Sequence, residues 1–268
     1  MENPSDTAYQ SLGDRMKSYE ELYEFKLGPA TPTVLRLDGH GFSKFTSNFA
    51  RPFDQRIHEA MSATCSDLLN HFPAATLAYT QSDEITLVLP TGVQSFNDRI
   101  QKLCSLAASF TSVRFNLHLA AAIRASPEPA ILNTEVLGTA HFDARLFTVP
   151  TSEEALNCVL WRCRGDAIRN SVNAFARTLF TTSELHGLNT KDVLRRMETE
   201  KMVVFRDAVP RWAVEGTMVK KEQYEFEGKN LKTGELEKTM RTRTRAVDRG
   251  VTKFSEENLK LVTERYWT

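Results

Sequence analysis

Two aspartates occupy positions from which their carboxylates could meet. Asp38 ends the apolar run "TVLRLD" (33–38), and Asp83 lies in the polar turn "QSDE" between strand-like segments at 76–80 and 85–89. If these strands form one sheet, both acids face the same spot. Two carboxylates without His or Cys neighbours are ligands for a hard cation such as Mg²⁺. Two Mg²⁺ ions about 3.5–4 Å apart activate an attacking oxygen and stabilise a leaving oxygen, as nucleotidyl transfer requires.

The turn "DGHGFSK" that follows the strand is suited to phosphate. Gly39 has no Cβ, so its backbone can approach a ligand, and successive N–H groups in such a turn form a nest for anions. Lys44 adds a positive charge. Each acid on its own has a plainer interpretation, because Asp-Gly after a strand and a polar hairpin tip are usually solvated turns. The correspondence of the two acids in one predicted sheet is what favours a metal site.

Helices and strands alternate around these residues. Helical spacing of apolar residues predicts a helix over "FDQRIHEAMSATCSDLLNHF", with Asp54 as its N-cap. A second amphipathic helix is predicted at about 95–112, and strands are predicted for "FNLHLAAAI" (115–123) and "HFDARLFTVP" (141–150). The apolar face of the second helix is predicted to carry Phe96, Ile100, Leu103, Ala107 and Phe110.

The order β-α-β-β-α-β predicts an α+β fold, with a ferredoxin-like, palm-type domain at residues 1–150. Residues 151–268 are predicted to form a C-terminal extension, packed on the palm as one compact unit. In the extension we expect helices first, including one capped by Asn189 or Thr190, and then short strands and exposed turns. The piece "GKNLKTGE" (228–235) resembles a hairpin tip.

Composition limits the class of protein. The chain has 268 residues, 41% hydrophobic and 25% charged, as in ordinary globular proteins. It lacks an apolar run of about 20 residues and an N-terminal signal-peptide pattern, so we expect an intracellular, cytoplasmic protein without a membrane partner and leave a mitochondrial location open. The four cysteines lack metal-like spacing and are expected to be free thiols. Net charge is zero, but residues 195–253 carry 15 basic and 10 acidic side chains, which favours this part for a polyanion.

Around Asp38 and Asp83, and in four further segments, the sequence resembles the tRNA-histidine guanylyltransferase superfamily, the 3′-to-5′ nucleotide polymerases. The resemblance implies a palm fold, a homotetramer, two Mg²⁺ ions, ATP and GTP or another NTP as substrates, and tRNA as partner. It spans nearly the whole chain in consistent order. The matching segments are "RLDGHGFSKF" (36–45), "NFARPFDQR" (48–56), "AYTQSDEITLV" (78–88), "FDARLFTVP" (142–150), "WRCRGDAIRNS" (161–171) and "RTRTR" (241–245).

The same resemblance implies roles for single residues. Asp38, the carbonyl of Gly39 and Asp83 would bind the metal ions, and Glu84 would have a supporting or metal-site role. The backbone amides of His40, Gly41, Phe42 and Ser43, with Lys44 close by, would hold a triphosphate. Ser82, Arg51 and Asp54 match positions near the nucleotide, Asn170 and Ser171 match a polar helix facing the site, and Arg241, Arg243 and Arg245 match a basic strand that binds RNA.

Some of these later residues also have structural interpretations. Arg241, Arg243 and Arg245 alternate with threonines, so they are either the wet face of an edge strand or phosphate contacts that would be sensitive to salt. Trp161 is predicted to belong to the core rather than to serve as a base-stacking platform. A turn imidazole at His40 either contacts substrate or is merely exposed.

One departure from the family narrows the predicted substrate. Eukaryotic enzymes that add guanosine to tRNA-His carry "HINNLYN" after the WR segment, whereas this chain has "AIRNSVN", with no matching His. The pattern resembles the guanylyltransferase-like proteins, which favour template-directed repair of truncated tRNA 5′ ends. The alternatives are untemplated addition to tRNA-His, a palm-type nucleotide cyclase, and a tRNA-binding protein without catalysis.

Overall fold

The computed structural model describes residues 11–28, 30–93, 95–229 and 234–267. It has one six-stranded antiparallel sheet with the strand order β4-β1-β3-β2-β5-β6. The α+β prediction is confirmed. The strands are β1 (Thr33–Gly39), β2 (Leu77–Gln81), β3 (Glu84–Leu89), β4 (Phe142–Thr148), β5 (Thr217–Lys229) and β6 (Leu236–Val247).

Helices cover both faces of this sheet. A single π-helical turn, Arg162–Asp166, joins two of them. In chain order the helices are α1 (Leu12–Glu21), α2 (Phe42–Thr46), α3 (Gln55–His71), α4 (Ile100–Ala125), α5 (Ser152–Trp161), α6 (Ala167–Ala176), α7 (Thr182–Leu185), α8 (Thr190–Lys201), α9 (Phe205–Ala208), α10 (Arg211–Glu215) and α11 (Glu256–Thr263).

One face of the sheet is fully covered and the other only in part. Leu35 and Leu37 of β1 point to the same face, since side chains two apart share a face, and they join a core cluster with residues of α3 and α4. Val34 lies on the opposite face with Leu77 and Val88, beneath α5 and α11. Farther along that second face the β1 positions are Arg36 and Asp38, so its end is polar. The predicted site residues Asp38 and Asp83 lie at this uncovered end.

The predicted strand at 115–123 is wrong, because these residues continue α4 as far as Ala125. Phe115 and Leu119 are buried four residues apart, as on the inner face of a helix, while Val113 and Leu117 are exposed. Apolar residues on both faces concealed the helical period, and the alanines that follow favour a helix.

Two further predictions differ from the structure. Helix α4 begins at Ile100 rather than near 95, and Phe96 lies in the preceding turn, exposed to solvent. Residues 202–247 contain two short helices and one long hairpin instead of several short strands. The middle of the predicted hairpin tip, residues 230–233, lies outside the described residues.

The C-terminal part of the chain extends the same sheet. β5 pairs with β2, with Tyr79 opposite Met218, and β6 pairs with β5 along its length. A third cluster of buried residues holds α6, α8, α9 and α10 together. Asn189 caps α8 by accepting a hydrogen bond from the Asp192 amide. It is one of the two residues that the sequence predicts for this cap. The domain boundary near residue 150 stays a prediction.

No helix in the described ranges is long and apolar enough to cross a membrane. All four cysteines are free thiols, as predicted; Cys65 and Cys163 are buried, and Cys104 and Cys158 are partly buried.

Asp54 begins α3, and its carboxylate is used within the fold. It accepts hydrogen bonds from the amides of Ala50 (2.9 Å) and Arg56 (3.0 Å). The guanidinium of Arg56 adds a two-point contact, Nε to Oδ1 at 2.9 Å and Nη2 to Oδ2 at 2.7 Å. The same guanidinium donates to the carbonyl of Ser126, just after α4. Ala50 and Arg56 therefore use both carboxylate oxygens of Asp54, and Arg56 connects this buried cap of α3 to the end of α4.

We expect Asp54→Ala to lower the free energy of unfolding by about 3–5 kcal/mol, since it leaves the buried guanidinium of Arg56 unpaired. Denaturant unfolding measures this. Asn189→Ala, at an exposed cap, is the matched control and should cost only about 1 kcal/mol. If Asp54→Ala kept its stability and lost only affinity for nucleotide, the result would contradict the structural role and support the position near the nucleotide that the resemblance implies.

Lys220 joins the C-terminal helix to the sheet. Its side chain is buried, and Nζ donates to the carbonyls of Thr76 (3.1 Å), Leu261 (2.7 Å) and Glu264 (2.6 Å). The last two carbonyls belong to the C-terminal end of α11, where helical carbonyls lack partners and a cation is favourable. Three acceptors match the three N–H donors of an ammonium group.

Burial lowers the pKa of Lys220 to about 8, compared with 10.5 for an unburied lysine. The unfolded chain therefore binds more protons than the folded chain between these values, and this group makes the free energy of unfolding rise with pH across that interval. We expect Lys220→Met to remove this rise and to cost about 1–3 kcal/mol at pH 7, because three carbonyls lose their donor. Denaturant unfolding between pH 7 and pH 11 measures both effects; identical pH profiles for the two proteins would contradict them.

Candidate active site

A polar cavity of about 260 Å³ opens at the uncovered end of the sheet. It lies where β1 ends, where the β2–β3 hairpin turns and where α5 passes into α6. Its lining residues are Arg36, Asp38, Gln81, Ser82, Asp83, Glu84, Arg145, Trp161, Arg162 and Asn170. The structure therefore brings together both predicted aspartates, Glu84, Ser82 and Asn170.

Backbone pairing fixes Asp38 next to the hairpin. Asp38 lies opposite Glu84 in the antiparallel register, and the amide of Gly39 donates to the carbonyl of Asp83 at 3.0 Å. The hairpin loop consists of Ser82 and Asp83 alone, and Ser82 adopts a left-handed conformation with φ 57°. A non-glycine residue in this region is strained, and such strain is concentrated at functional sites.

The two aspartates are close enough to repel each other. Burial raises the pKa of Asp83, and the negative charge of Asp38 raises it further. Paired acids that disfavour each other's ionised form are stabilised when a cation binds between them. The site is therefore electrostatically prepared for a positive ligand.

Glu84 is held by two arginines. Its carboxylate forms an ion pair with Nη2 of Arg162, and Oε1 lies 3.5 Å from Nε of Arg36. Arg162 also pairs with Asp166, and Arg169 contacts the same carboxylate at 2.7 Å. A chain of alternating charges thus connects β1 and β3 to the π-helical turn and α6. These contacts use the carboxylate of Glu84 and favour its supporting role over a metal-site role.

The donor set fits Mg²⁺. In the described part of the chain, no group of three or more His, Cys, Asp or Glu side chains is arranged to hold a metal. The predicted ligands are two carboxylates and a main-chain carbonyl, all of them hard oxygen donors. Mg²⁺ is usually bound through one or two carboxylates together with water and substrate phosphates. Asp38 and Asp83, which line one cavity, meet that requirement.

The glycine turn differs in detail from the prediction. The amide of His40 donates to the carbonyl of His141 at 2.9 Å, so it is already used. The amides of Gly41, Phe42 and Ser43 begin the short helix α2, where the first N–H groups lack intrahelical acceptors. The available donors therefore start at Gly41 rather than at His40.

The two glycines are required for different reasons. A Cβ on Gly39 would lie 2.2 Å from the ring of Phe42, which is buried in the core cluster. Gly41 adopts φ +64°, with open space around it. Core packing therefore accounts for Gly39, and the turn conformation accounts for Gly41.

Two other residues that resemblance places near the nucleotide, Lys44 and Arg51, are exposed to solvent and lie outside the cavity lining in the described chain.

The two residues of α6 that are predicted to bind RNA differ in exposure. Asn170 is exposed and lines the cavity. Ser171 is buried, and its hydroxyl donates to the carbonyl of Ile168 at 3.1 Å. Ser171 therefore cannot contact RNA directly in this arrangement, because its side chain is buried.

The three arginines of β6 lie on one face of the long hairpin. The guanidinium of Arg241 lies 3.5 Å from the ring centroid of Phe226, and Arg243 lies 4.8 Å from that of Tyr224. Glu222 accepts ion pairs from both Arg243 (2.8 Å) and Arg245 (3.0 Å). The side chains stay accessible, so both the edge-strand and the phosphate interpretation remain open.

Several lining residues were not predicted. Arg36 precedes Asp38 by two residues and Arg145 lies opposite Arg36, so the period of two in the strands was the available signal. Arg162 was visible only as part of the WR segment. Trp161 was predicted to lie in the core, but 55% of its surface is exposed and it lines the cavity. That prediction is wrong because α5 ends there and presents the ring outward.

Comparison with known proteins gives matches in sequence and in structure. Residues 13–150 match the family described as tRNAHis guanylyltransferase. An uncharacterized protein of Acanthamoeba polyphaga mimivirus is 32% identical over 285 residues, covering 100% of this chain and 94% of its own. The tRNA(His) guanylyltransferase of Debaryomyces hansenii is 28% identical, covering 96% of each.

Among solved structures, a bacterial tRNA(His) guanylyltransferase (Thg1)-like protein in complex with ATP superposes with a TM-score of 0.73 and 32% identity, over 90% of this chain and 94% of that one. A structure of such a bacterial protein in complex with GTP gives a TM-score of 0.67 and 31% identity, over 90% and 93%. With the paired aspartates and the glycine turn in place, the chain belongs to the tRNAHis guanylyltransferase family of nucleotidyltransferases.

Proposed function

We propose that this enzyme adds nucleotides to the 5′ ends of tRNA in the 3′-to-5′ direction, directed by the opposing strand, and so repairs truncated ends. The strands β1 to β4, with α3 and α4 on one face, have the element order of a ferredoxin-like palm. The observation that carries the proposal is the convergence of Asp38 and Asp83 beside the glycine turn at the open end of that sheet.

The reaction proceeds in two transfers. An oxygen of the tRNA 5′-monophosphate attacks the α-phosphorus of ATP, pyrophosphate leaves, and a 5′-adenylylated tRNA forms. The 3′-hydroxyl of an incoming NTP then attacks the 5′ phosphorus of the tRNA, and AMP leaves. Where the growing end already carries a triphosphate, the first transfer is unnecessary and pyrophosphate leaves in the second. ATP and GTP are bound by the similar bacterial proteins.

The residues divide the work by their chemistry. Asp38, the Gly39 carbonyl and Asp83 would hold two Mg²⁺ ions, which lower the pKa of the attacking hydroxyl and offset charge at phosphorus. The amides of Gly41 to Ser43 would hold a triphosphate, with Lys44 and Arg51 as exposed cations at the approach. Ser82 closes the hairpin next to Asp83.

The cations around the cavity suit a polyanionic substrate. Arg145 and Arg162 line it beside Asn170, and the arginines of β6 extend a basic face along the hairpin. Contacts of this kind bind phosphates without reading sequence, and they weaken as salt concentration rises. Selection of the nucleotide then falls to base pairing within the tRNA.

Position 167 supports repair over untemplated addition to tRNA-His. Ala167 begins the segment "AIRNSVN", where the eukaryotic pattern begins with His. Its side chain is buried, and its carbonyl accepts from Nε2 of Gln81 at 3.4 Å. No imidazole is present at this point of the helix to contact a substrate.

A homotetramer is part of the proposal. Large apolar side chains of α1, including Leu12 and Tyr19, and of α4, Val113 and Leu117, are more than half exposed. Contact between copies of the chain would remove these apolar side chains from water. The cytoplasm stays the predicted compartment.

The test uses a tRNA that lacks its first 5′ nucleotide, with Mg²⁺, ATP and labelled NTPs. We expect incorporation of the nucleotide complementary to the opposing base, and a change of that base should change the nucleotide. Asp38→Asn should lower the rate by roughly 100- to 1000-fold or more, as loss of one electrostatic stabiliser does. Asp207→Asn, an exposed aspartate on α9, is the matched control and should leave the rate unchanged.

Addition of guanosine regardless of the opposing base, and only to tRNA-His, would replace repair by tRNA-His maturation. Binding of tRNA with no incorporation would indicate a binding protein, and cyclic nucleotide formed without RNA would indicate a cyclase. Full activity of Asp38→Asn would contradict the metal assignment.

A further inference from the structure

Trp161 is placed outward at a helix end. Ala155, Leu156 and Val159 of α5 are buried against the sheet. Trp161 follows Val159 by two residues, about 200° around the helix, so its indole points away from the core. The result is a large aromatic side chain, 55% exposed, on the wall of a cavity that is otherwise lined by charged and amide groups.

The indole is held in place by cations. The guanidinium carbons of Arg36 and Arg162 lie 5.3 Å and 5.1 Å from its ring centroid. Both arginines form ion pairs with Glu84, so the ring contacts a network of paired charges. Cation–π contacts of this kind keep an aromatic plane oriented. An exposed ring that is already oriented loses little freedom when another flat group stacks on it.

Two amide side chains line the same cavity as the ring. Asn170 is exposed on the same cavity wall and offers both a donor and an acceptor. Gln81 lines the wall too, and its amide nitrogen is fixed by the carbonyls of Ala167 (3.4 Å) and Ala213 (3.2 Å). A flat apolar platform and a side-chain amide in one cavity match a nucleobase, which presents a π-face and hydrogen-bonding edges.

We propose that Trp161 stacks a nucleobase at the entrance to the carboxylate site, with Asn170 at the edge of that base. The base comes from one of two sources, the incoming nucleoside triphosphate or the end of the RNA strand. The inference rests on the proposed function, since it places a nucleotide substrate at this cavity.

The experiment observes Trp161 alone, in the doubly substituted protein Trp212→Phe and Trp267→Phe. Its fluorescence is titrated with ATP, GTP, a single-stranded oligoribonucleotide and inorganic triphosphate, each with Mg²⁺. We expect saturable quenching by ligands that carry a base and none by inorganic triphosphate. In the otherwise unchanged protein, Trp161→Ala should weaken binding of the stacked ligand by roughly 5- to 150-fold, while Trp161→Phe retains most of the affinity.

The affinities identify the source of the base. If Trp161→Ala weakens binding of ATP and GTP only, the stacked base belongs to the incoming nucleotide. If it weakens binding of the oligoribonucleotide only, the stacked base belongs to the RNA end. Binding of inorganic triphosphate should be the same in Trp161→Ala as in the unsubstituted protein, which shows that the fold is kept.

Unaltered affinity of Trp161→Ala for every ligand, in a protein that extends tRNA, would overturn the stacking site and leave the proposed function standing. Base-dependent quenching in a protein that does not extend tRNA would overturn the proposed function and leave the stacking site standing.

Discussion

The carboxylate of Glu84, held between the guanidinium groups of Arg36 and Arg162, is the contact on which the site depends. It joins the start of β3 to β1 and to the π-helical turn after α5. This contact therefore connects three elements: the hairpin that carries Asp83, the strand that carries Asp38 and the helix that carries Asn170. A partly buried pair of this kind contributes less to stability than to fixing one arrangement, since desolvation offsets much of the attraction between its charges.

Next to that contact, the fold places two like charges, Asp38 and Asp83, close together, which lowers its stability. The sheet is covered on one face by α3 and α4 and on the other only over part of its length, so its polar end stays open. There Asp83 is partly buried beside Asp38, and this burial together with the neighbouring charge raises its pKa. Groups that disfavour each other without a ligand are typical of functional sites, where stability is given up for binding. The strained backbone of Ser82 is a second cost at the same hairpin.

The sequence predicted the residues that face the cavity from strands better than those that face it from helices. The end of one apolar run and the polar turn between two others predicted that Asp38 and Asp83 meet, and both line one cavity. Helix α4 was misread because apolar residues lie on both its faces, and Trp161 because periodicity does not show where α5 ends. Asp54 and Ser171 match family positions, but they are used by local partners, Arg56 and the carbonyl of Ile168. The carbonyl of His141, which accepts from the amide of His40, is a tertiary contact that no local pattern shows.

The central claim is that Asp38 and Asp83 together bind divalent cations with a nucleotide triphosphate. Crystals grown with ATP and Mn²⁺, examined by anomalous diffraction, test it most directly. The account predicts anomalous peaks about 2.1 Å from carboxylate oxygens of both aspartates, with triphosphate oxygens completing the coordination. Ordered nucleotide with no peak at these carboxylates, or with its metal held elsewhere on the chain, would contradict it.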